Sequence, residues 1–382
     1  MVLGVFLVFS SGYAGYPMLA LLVIILLELV TRRLAWVPTS FDRPLLALLA
    51  ISLASDLASP WRSQAVIPVI LFVLTAVVSV YPAARVIRAW PEAIRPIIGV
   101  WVAGALFAAA WGILRAPALW PSGASTPTLG STALGTTMAA AIVLALGVWT
   151  VRNRPWVRIG LAMGLPVLMT ALELTASRAA WMAAAVGAAV MIGLASRRRA
   201  ALVILCAASV AVAVLAAGVE RQFLVRRLES IPSVEANADR MAIWSGASSM
   251  VRAYPLLGTG YGTFLFAWQQ YNRNPTLMDK PTAHNVFLNF AAETGLLGLG
   301  AFLAVLWKGF AGLWRRIQSS RGDPKTGGLW AALFAAVMAM LTQQLFDATV
   351  MSPHVGYGLL AAFALGGARL SGAAAPTRKT PA

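Results

Sequence analysis

The chain has 382 residues, a formal net charge of +17, 59% hydrophobic residues and 11% charged residues, with a mean hydropathy of +0.77. That balance excludes an ordinary soluble protein and describes a multi-span membrane protein. The positive charge does not indicate nucleic-acid binding, because the basic residues are scattered between apolar runs, where they serve as topology signals and phosphate contacts.

The single Cys206 lies in the apolar run 203–215, so neither a disulfide framework nor a cysteine metal site can form within one chain. The first ten residues lack a basic n-region and a long apolar segment follows, so no cleaved signal peptide is expected. Apolar runs near 2–11, 14–31, 44–55, 64–81, 96–115, 131–150, 157–176, 178–195, 200–219, 284–313, 327–347 and 353–370 predict about twelve transmembrane helices. The first and third are short against a usual span of roughly 17–25 residues. Long runs without polar alternation exclude a strand-based barrel. The expected fold is an all-α integral membrane protein, a single polytopic domain over 1–382. A large outer loop with short helices, 220–283, is inserted between late spans. The small, polar tail 371–382 reads as disordered on the cytoplasmic side.

Twenty of the thirty Lys and Arg fall in alternate connectors, and the positive-inside rule places those connectors and both termini in the cytoplasm. Seven of the remaining ten lie in the 220–284 loop: Arg221, Arg226, Arg227, Arg240, Arg252, Arg273 and Lys280. Basic residues gathered on the outer side oppose the topological bias and ask for an anionic ligand. A second outer connector, 116–130, is rich in Pro, Gly and Ser. Within the large loop, Asn237 or Asp239 can cap a helix running to Ala253. Its apolar face is Ile243, Ala247, Met250, Val251 and Tyr254, and with Trp244 it suits the membrane–water interface. Pro255 ends the helix, Gly258, Gly260 and Gly262 make a tight turning segment, and Pro275 and Pro281 mark an extended return to His284.

Arg178 follows Ser177 at the outer junction of two spans. It reads either as a snorkelling interfacial residue or as a phosphate ligand, since an arginine at membrane depth needs a partner or a watery cavity and guanidinium pairs bidentately with phosphate. Arg240 opens the loop helix, either as a solvated neighbour of Asp239 or as part of an anion site shared with the helix amides. His284 stands where the loop re-enters the membrane, as a capping residue or as a general base near neutral pH. Asp347 and Glu173, at the outer ends of spans, are candidate counter-ions that orient an arginine. Glu293 sits between apolar residues and must find a partner. Glu28 is spaced to pair with Arg32, and His354 reads as structural. The outer loops hold no Asp-x-Asp motif for Mg²⁺, the chain has no His-Glu-x-x-His, and the glycine segment follows no strand of a βαβ unit. No metal and no nucleotide cofactor are therefore expected. Matching pairs of interrupted helices, which a transporter can show, are not visible.

Together, Ser177-Arg178 at a span junction, Arg240…Trp244…Pro255-Leu-Leu-Gly258-x-Gly260, and His284-Asn285…Glu293-x-Gly295-Leu-Leu-Gly298 resemble the O-antigen ligase and O-antigen polymerase superfamily of bacterial inner-membrane glycosyltransferases. The resemblance implies a GT-C type helical fold with a periplasmic active site. It implies an undecaprenyl-diphosphate-linked glycan as donor and, for a ligase, a sugar hydroxyl of lipid A–core as acceptor in lipopolysaccharide biosynthesis. It implies that Arg178 and Arg240 hold the diphosphate, that His284 joins them in catalysis, and that Asp347 matches the family's late-span acid. Glu173, Glu293 and Asn285 are further candidates for supporting the site. Metal-independent inverting transfer without a cofactor is expected, in a setting of membrane lipids, with no nucleic acid and no obligate protein partner. The alternatives are a polymerase of the same superfamily or a lipid-linked-glycan transporter without chemistry.

Overall fold

The structure, a computed structural model, describes residues 23, 25, 27, 28, 30, 31, 36–119, 125, 130–151, 154–194, 199–216, 238–272, 277, 282–351 and 353–369. The run 2–11, most of 14–31, the loop stretch 217–237, Arg32, Arg273, Lys280, the tail 371–382 and the side chain of His354 lie outside the described residues. Arg221, Arg226, Arg227 and Asn237 fall within that loop stretch.

The described elements are α1 (Asp42–Ala58), α2 (Arg62–Ala89), α3 (Ile94–Leu119), α4 (Ser131–Val151), α5 (Pro155–Leu174), α6 (Arg178–Leu194) and α7 (Arg199–Ala216), followed by α8 (Ala238–Ala253), α9 (Phe264–Tyr271), α10 (Val286–Ser319), α11 (Pro324–Gln344) and α12 (Pro353–Gly367). A 3-10 turn, Thr349–Met351, links α11 to α12. The chain is an all-α, multi-pass membrane protein. Six helices are long and apolar enough to cross a membrane, and shorter apolar helices lie in α6, α7 and α12. The expected twelve spans are not reached among the described residues. Two early apolar runs fall largely outside them, and α6 and α12 have only 17 and 15 residues.

A helix that is apolar all round belongs inside a bundle, and α4 behaves so: 83% of its apolar window is buried, against 33% for α5. It packs on α11, α6, α5 and α3. Apolar burial drives little association inside lipid, so close backbone approach through small residues does the work. Gly147 of α4 lies so near Ala332 of α11 that an added Cβ would come within 2.1 Å of the alanine Cβ. Around this centre α2 packs on α12, and α10 packs on α1, α11 and α12. Glu28 pairs across to Arg85 and Tyr81 of α2; Arg32, its expected neighbour along the helix, lies outside the described residues.

Helix α10 is broken at Gly295, whose φ of 67° and ψ of −174° suit only glycine. The break leaves the carbonyls of Ala292 and Glu293 and the amides of Leu296 and Leu297 without their helical partners. Buried backbone groups must be paired, and the segment Pro255–Gly260 pairs all four. Thr259 N–H donates to Ala292 O (3.0 Å), Gly260 N–H to Glu293 O (2.8 Å), Leu296 N–H to Pro255 O (2.8 Å) and Leu297 N–H to Leu256 O (3.4 Å). The two Pro/Glu-to-Gly motifs of the sequence are therefore the two halves of one backbone joint. The glycine segment is a structural clasp and not a phosphate-cradling loop.

The loop helices add a second, smaller core. Ile243, Ala247 and Met250 of α8 pack with Phe264, Ala267 and Trp268 of α9, and with Ala283 and Ala292. The apolar face of α8 is thus spent on protein contacts.

Candidate active site

The return from the loop into α10 is built around His284. Its φ of 49° and the φ of 55° at Ala176, two residues before Arg178, are the positive values found at non-glycine residues among those described. Such strain persists only where the surroundings hold it, and it gathers at functional sites. Ala283 N–H donates to Asn289 Oδ1 (2.8 Å) and Ala283 O accepts from Trp244 Nε1 (3.0 Å). Trp244 lies one turn after Arg240 on α8, so this bond fixes the Arg240 flank of the helix against the residue preceding His284. Asn285 caps α10, its Oδ1 accepting from Leu288 N–H (3.0 Å) while its Nδ2 donates to Leu345 O (3.0 Å). Its role is to anchor the helix start to the end of α11.

That end of α11 carries the acid. His284 Nδ1 lies 3.7 Å from Asp347 Oδ1, with the histidine side chain 32% exposed and the aspartate 11% exposed. The separation exceeds a hydrogen bond and falls within ion-pair reach. Asp347 was expected beside an arginine, and the structure sets it beside the histidine instead. Asp347 also accepts from Ala348 N–H (2.8 Å).

Arg178 opens α6, half-buried, behind a turn in which Ser177 Oγ accepts from Ala180 N–H (3.3 Å). Gly135 of α4 packs on this turn, close to Ala180, Thr175 and Ser177. One residue later, Thr136 Oγ1 meets Thr349 Oγ1 at 3.2 Å, and Gln343 Nε2 donates to Thr132 O (2.8 Å). A continuous set of contacts therefore runs from the Arg178 turn through the start of α4 to the Asp347 segment, His284, Ala283 and the Arg240 helix. These residues share one end of the bundle. Each arginine sits in the first turn of its helix, where free amides and the helix dipole favour an anion.

The remaining acids divide. Glu293, 1% exposed, accepts from Phe264 N–H through Oε1 (2.9 Å) and is also bonded by the Asn289 side chain, so its partners are the loop backbone and a side-chain amide, not an arginine. Glu173 is in no ion pair among the described residues, and its Oε2 is buried without a hydrogen-bond partner.

Sequence reasoning passed over α1. Ser52, Ser55, Asp56 and Ser59 are all buried. Ser55 Oγ donates to Glu293 O (2.8 Å) and to Leu257 O, Ser59 Oγ donates to Thr259 O, and Asp56 Oδ1 accepts from Tyr261 N–H. The helix therefore clamps both halves of the joint. The signal was present: four polar residues at i, i+3, i+4 and i+7 in an apolar run mark one helix face. Burial, followed by the Glu293 and Asp56 carboxylates, pushes the Tyr261 phenol up, so it stays neutral.

Residues 164–303 match the family model described as O-antigen ligase. This stretch is similar to that family. It runs from α5 into the broken helix and includes Arg178, Arg240, His284 and the whole joint. Asp347 and the α1 clamp lie outside the matched stretch and are tied to it by the contacts above. No curated protein sequence matches the chain.

Proposed function

We propose that the protein is an O-antigen ligase of the bacterial inner membrane, with its site facing the periplasm. It moves a glycan from undecaprenyl diphosphate to a sugar hydroxyl of lipid A–core. The observation that carries this reading is the His284–Asp347 pair, 3.7 Å apart, at the bundle end that also holds Arg178 and Arg240. A lipid-linked glycan has an anionic leaving group. As its anomeric C–O bond to the diphosphate breaks, negative charge grows on the departing oxygen, and two fixed guanidinium groups stabilise it. His284 takes the proton of the acceptor hydroxyl as that oxygen forms the new glycosidic bond from the opposite face, inverting the anomeric carbon. Asp347 orients the imidazole and offsets the charge it gains. The products are the glycosylated lipid A–core and undecaprenyl diphosphate.

Purified protein in detergent, given an undecaprenyl-diphosphate glycan and lipid A–core, should form a new glycosidic bond at an unchanged rate in EDTA. Loss of activity in EDTA would overturn charge stabilisation by arginine alone. A second lipid-linked repeat offered as acceptor separates ligase from polymerase, and a transporter would form no bond with either.

Asp347→Asn should lower kcat about 10–100-fold with KM for the donor unchanged, because the acid supports the base and does not hold the diphosphate. Steady-state kinetics over donor concentration reads the split. A rise in KM alone would place Asp347 in donor binding.

A further inference from the structure

A cavity of about 240 Å³ lies between α1, α2, α10 and α12, next to Tyr261 and Gly262. It has room for far more than a single water, whose share of liquid volume is about 30 Å³. Most of its wall is apolar, with Leu48, Leu71, Phe72, Phe302 and Leu360 among the lining residues. Leu71 is 43% exposed, so the wall at α2 reaches the outer, lipid-facing side of that span.

Polar side chains in the lining include Thr75, Thr282, Asn289 and Glu293. Thr75 and Glu293 are 4% and 1% exposed, and Thr75 Oγ1 and Glu293 Oε2 have no hydrogen-bond partner among the described residues. Asn289, one turn before Glu293, donates through Nδ2 to Met351 Sδ at 2.9 Å, a weak acceptor, and its side chain also reaches the Glu293 carboxyl. Orphaned polar atoms are costly inside a membrane protein, and two of them on one cavity point to a ligand that pairs with both.

The chemistry of that ligand follows from the wall. No basic residue lines the cavity among the described residues, so an anionic head would face the Glu293 carboxyl without compensation. A bare hydrocarbon would fill the apolar part and leave both polar atoms orphaned. A hydroxyl donates and accepts at once, and so suits a cavity that offers both a carboxyl oxygen and a threonine hydroxyl. We propose that this cavity binds an uncharged long-chain alcohol, which comes from the bilayer past Leu71 and sets its hydroxyl between Glu293 and Thr75. Through Thr282, Asn289 and Met351 the cavity adjoins the His284 turn, but the proposal holds whether or not the transfer reaction is as described above.

The test uses the full chain in nanodiscs and a long-chain alcohol carrying a photoreactive diazirine, with cross-links mapped by mass spectrometry. Labelling is expected on α2, α10 and α12 residues of the cavity. Unlabelled alcohol should compete at least about tenfold better than the matched alkane or the matched alkyl phosphate, the worth of one hydrogen-bonded pair. Thr75→Val should weaken the alcohol about tenfold without changing the melting temperature. Leu360→Trp, which fills the cavity, should abolish labelling. Equal competition by the alkane would reduce the cavity to a space that any lipid tail occupies. Better competition by the alkyl phosphate would make it an anionic-lipid site, and absence of labelling would remove the proposal.

Discussion

Arg240→Ala should cut glycan transfer about 10²–10³-fold, the usual loss for one charge-stabilising group at a developing anion. The protein should still accumulate in the membrane at its normal level. Arg240 is half-exposed at the start of α8, where the helix dipole disfavours a cation. The helix stays in place through Trp244 Nε1, which holds Ala283 O at 3.0 Å. Arg240→Lys should recover only part of the rate, because an ammonium keeps the charge but loses the planar fork that grips two phosphate oxygens. Arg178→Ala should behave alike, and His284→Ala should lose about 10²–10⁴-fold. The double variant Arg178→Ala/Arg240→Ala should fall by less than the product of the single losses if both hold the same diphosphate. Single-turnover transfer measures each rate. Full transfer by Arg240→Ala, with lipid A–core as acceptor, would remove this arginine from the site.

Gly295→Ala should be the most damaging substitution in the chain for folding. Its backbone lies in a region that costs a residue with a Cβ about 1–3 kcal/mol. The new Cβ would also stand 2.1 Å from Leu256 O and 2.2 Å from Leu256 C. Backbone cannot yield as a flexible side chain does, so the four hydrogen bonds of the joint must open. A total near or above about 4 kcal/mol, the range of exceptional point mutants, is expected. Gly258→Ala should act similarly from the other half of the joint, since its φ is 69° and its Cβ would lie 2.3 Å from Glu293 C. Gly300→Ala, in the same helix with nothing within 4 Å, is the control. It should be neutral or slightly stabilising, since alanine is the better helix former by about 1 kcal/mol. Melting of the detergent-purified proteins and their monodispersity distinguish the cases. A Gly295→Ala protein that melts with the parent would show that the joint contributes little.

The membrane helices were legible because runs of apolar residues need no tertiary knowledge to be recognised. Helix α8 was legible to its last residue, Ala253, through its periodic face and the proline that follows it. What covers that face was not. Ile243, Ala247 and Met250 would serve equally against lipid, and only the fold brings Phe264 and Trp268 to them. Glu293 announced a need for a partner, yet one partner is a backbone amide 29 residues away, which leaves no mark in side-chain chemistry. Asp347 and His284 were each singled out, but their pairing depends on how α10 and α11 lie together. Glu28 shows the same limit: its bond to Arg85 on another span leaves no mark in local spacing. The α1 polar stripe was readable and went unread, because it sat in an apolar stretch where length alone seemed to explain the segment.

The joint at Gly295 bears on how the protein is born. Thr259 leaves the ribosome 33 residues ahead of Ala292, and Ser55 precedes Glu293 by 238. The receiving groups are therefore all synthesised before the broken helix emerges, and that helix closes its open amides and carbonyls on arrival, as the last piece of a lock. Any copy whose translation stops short of Leu297 keeps its earlier spans but leaves the lock open.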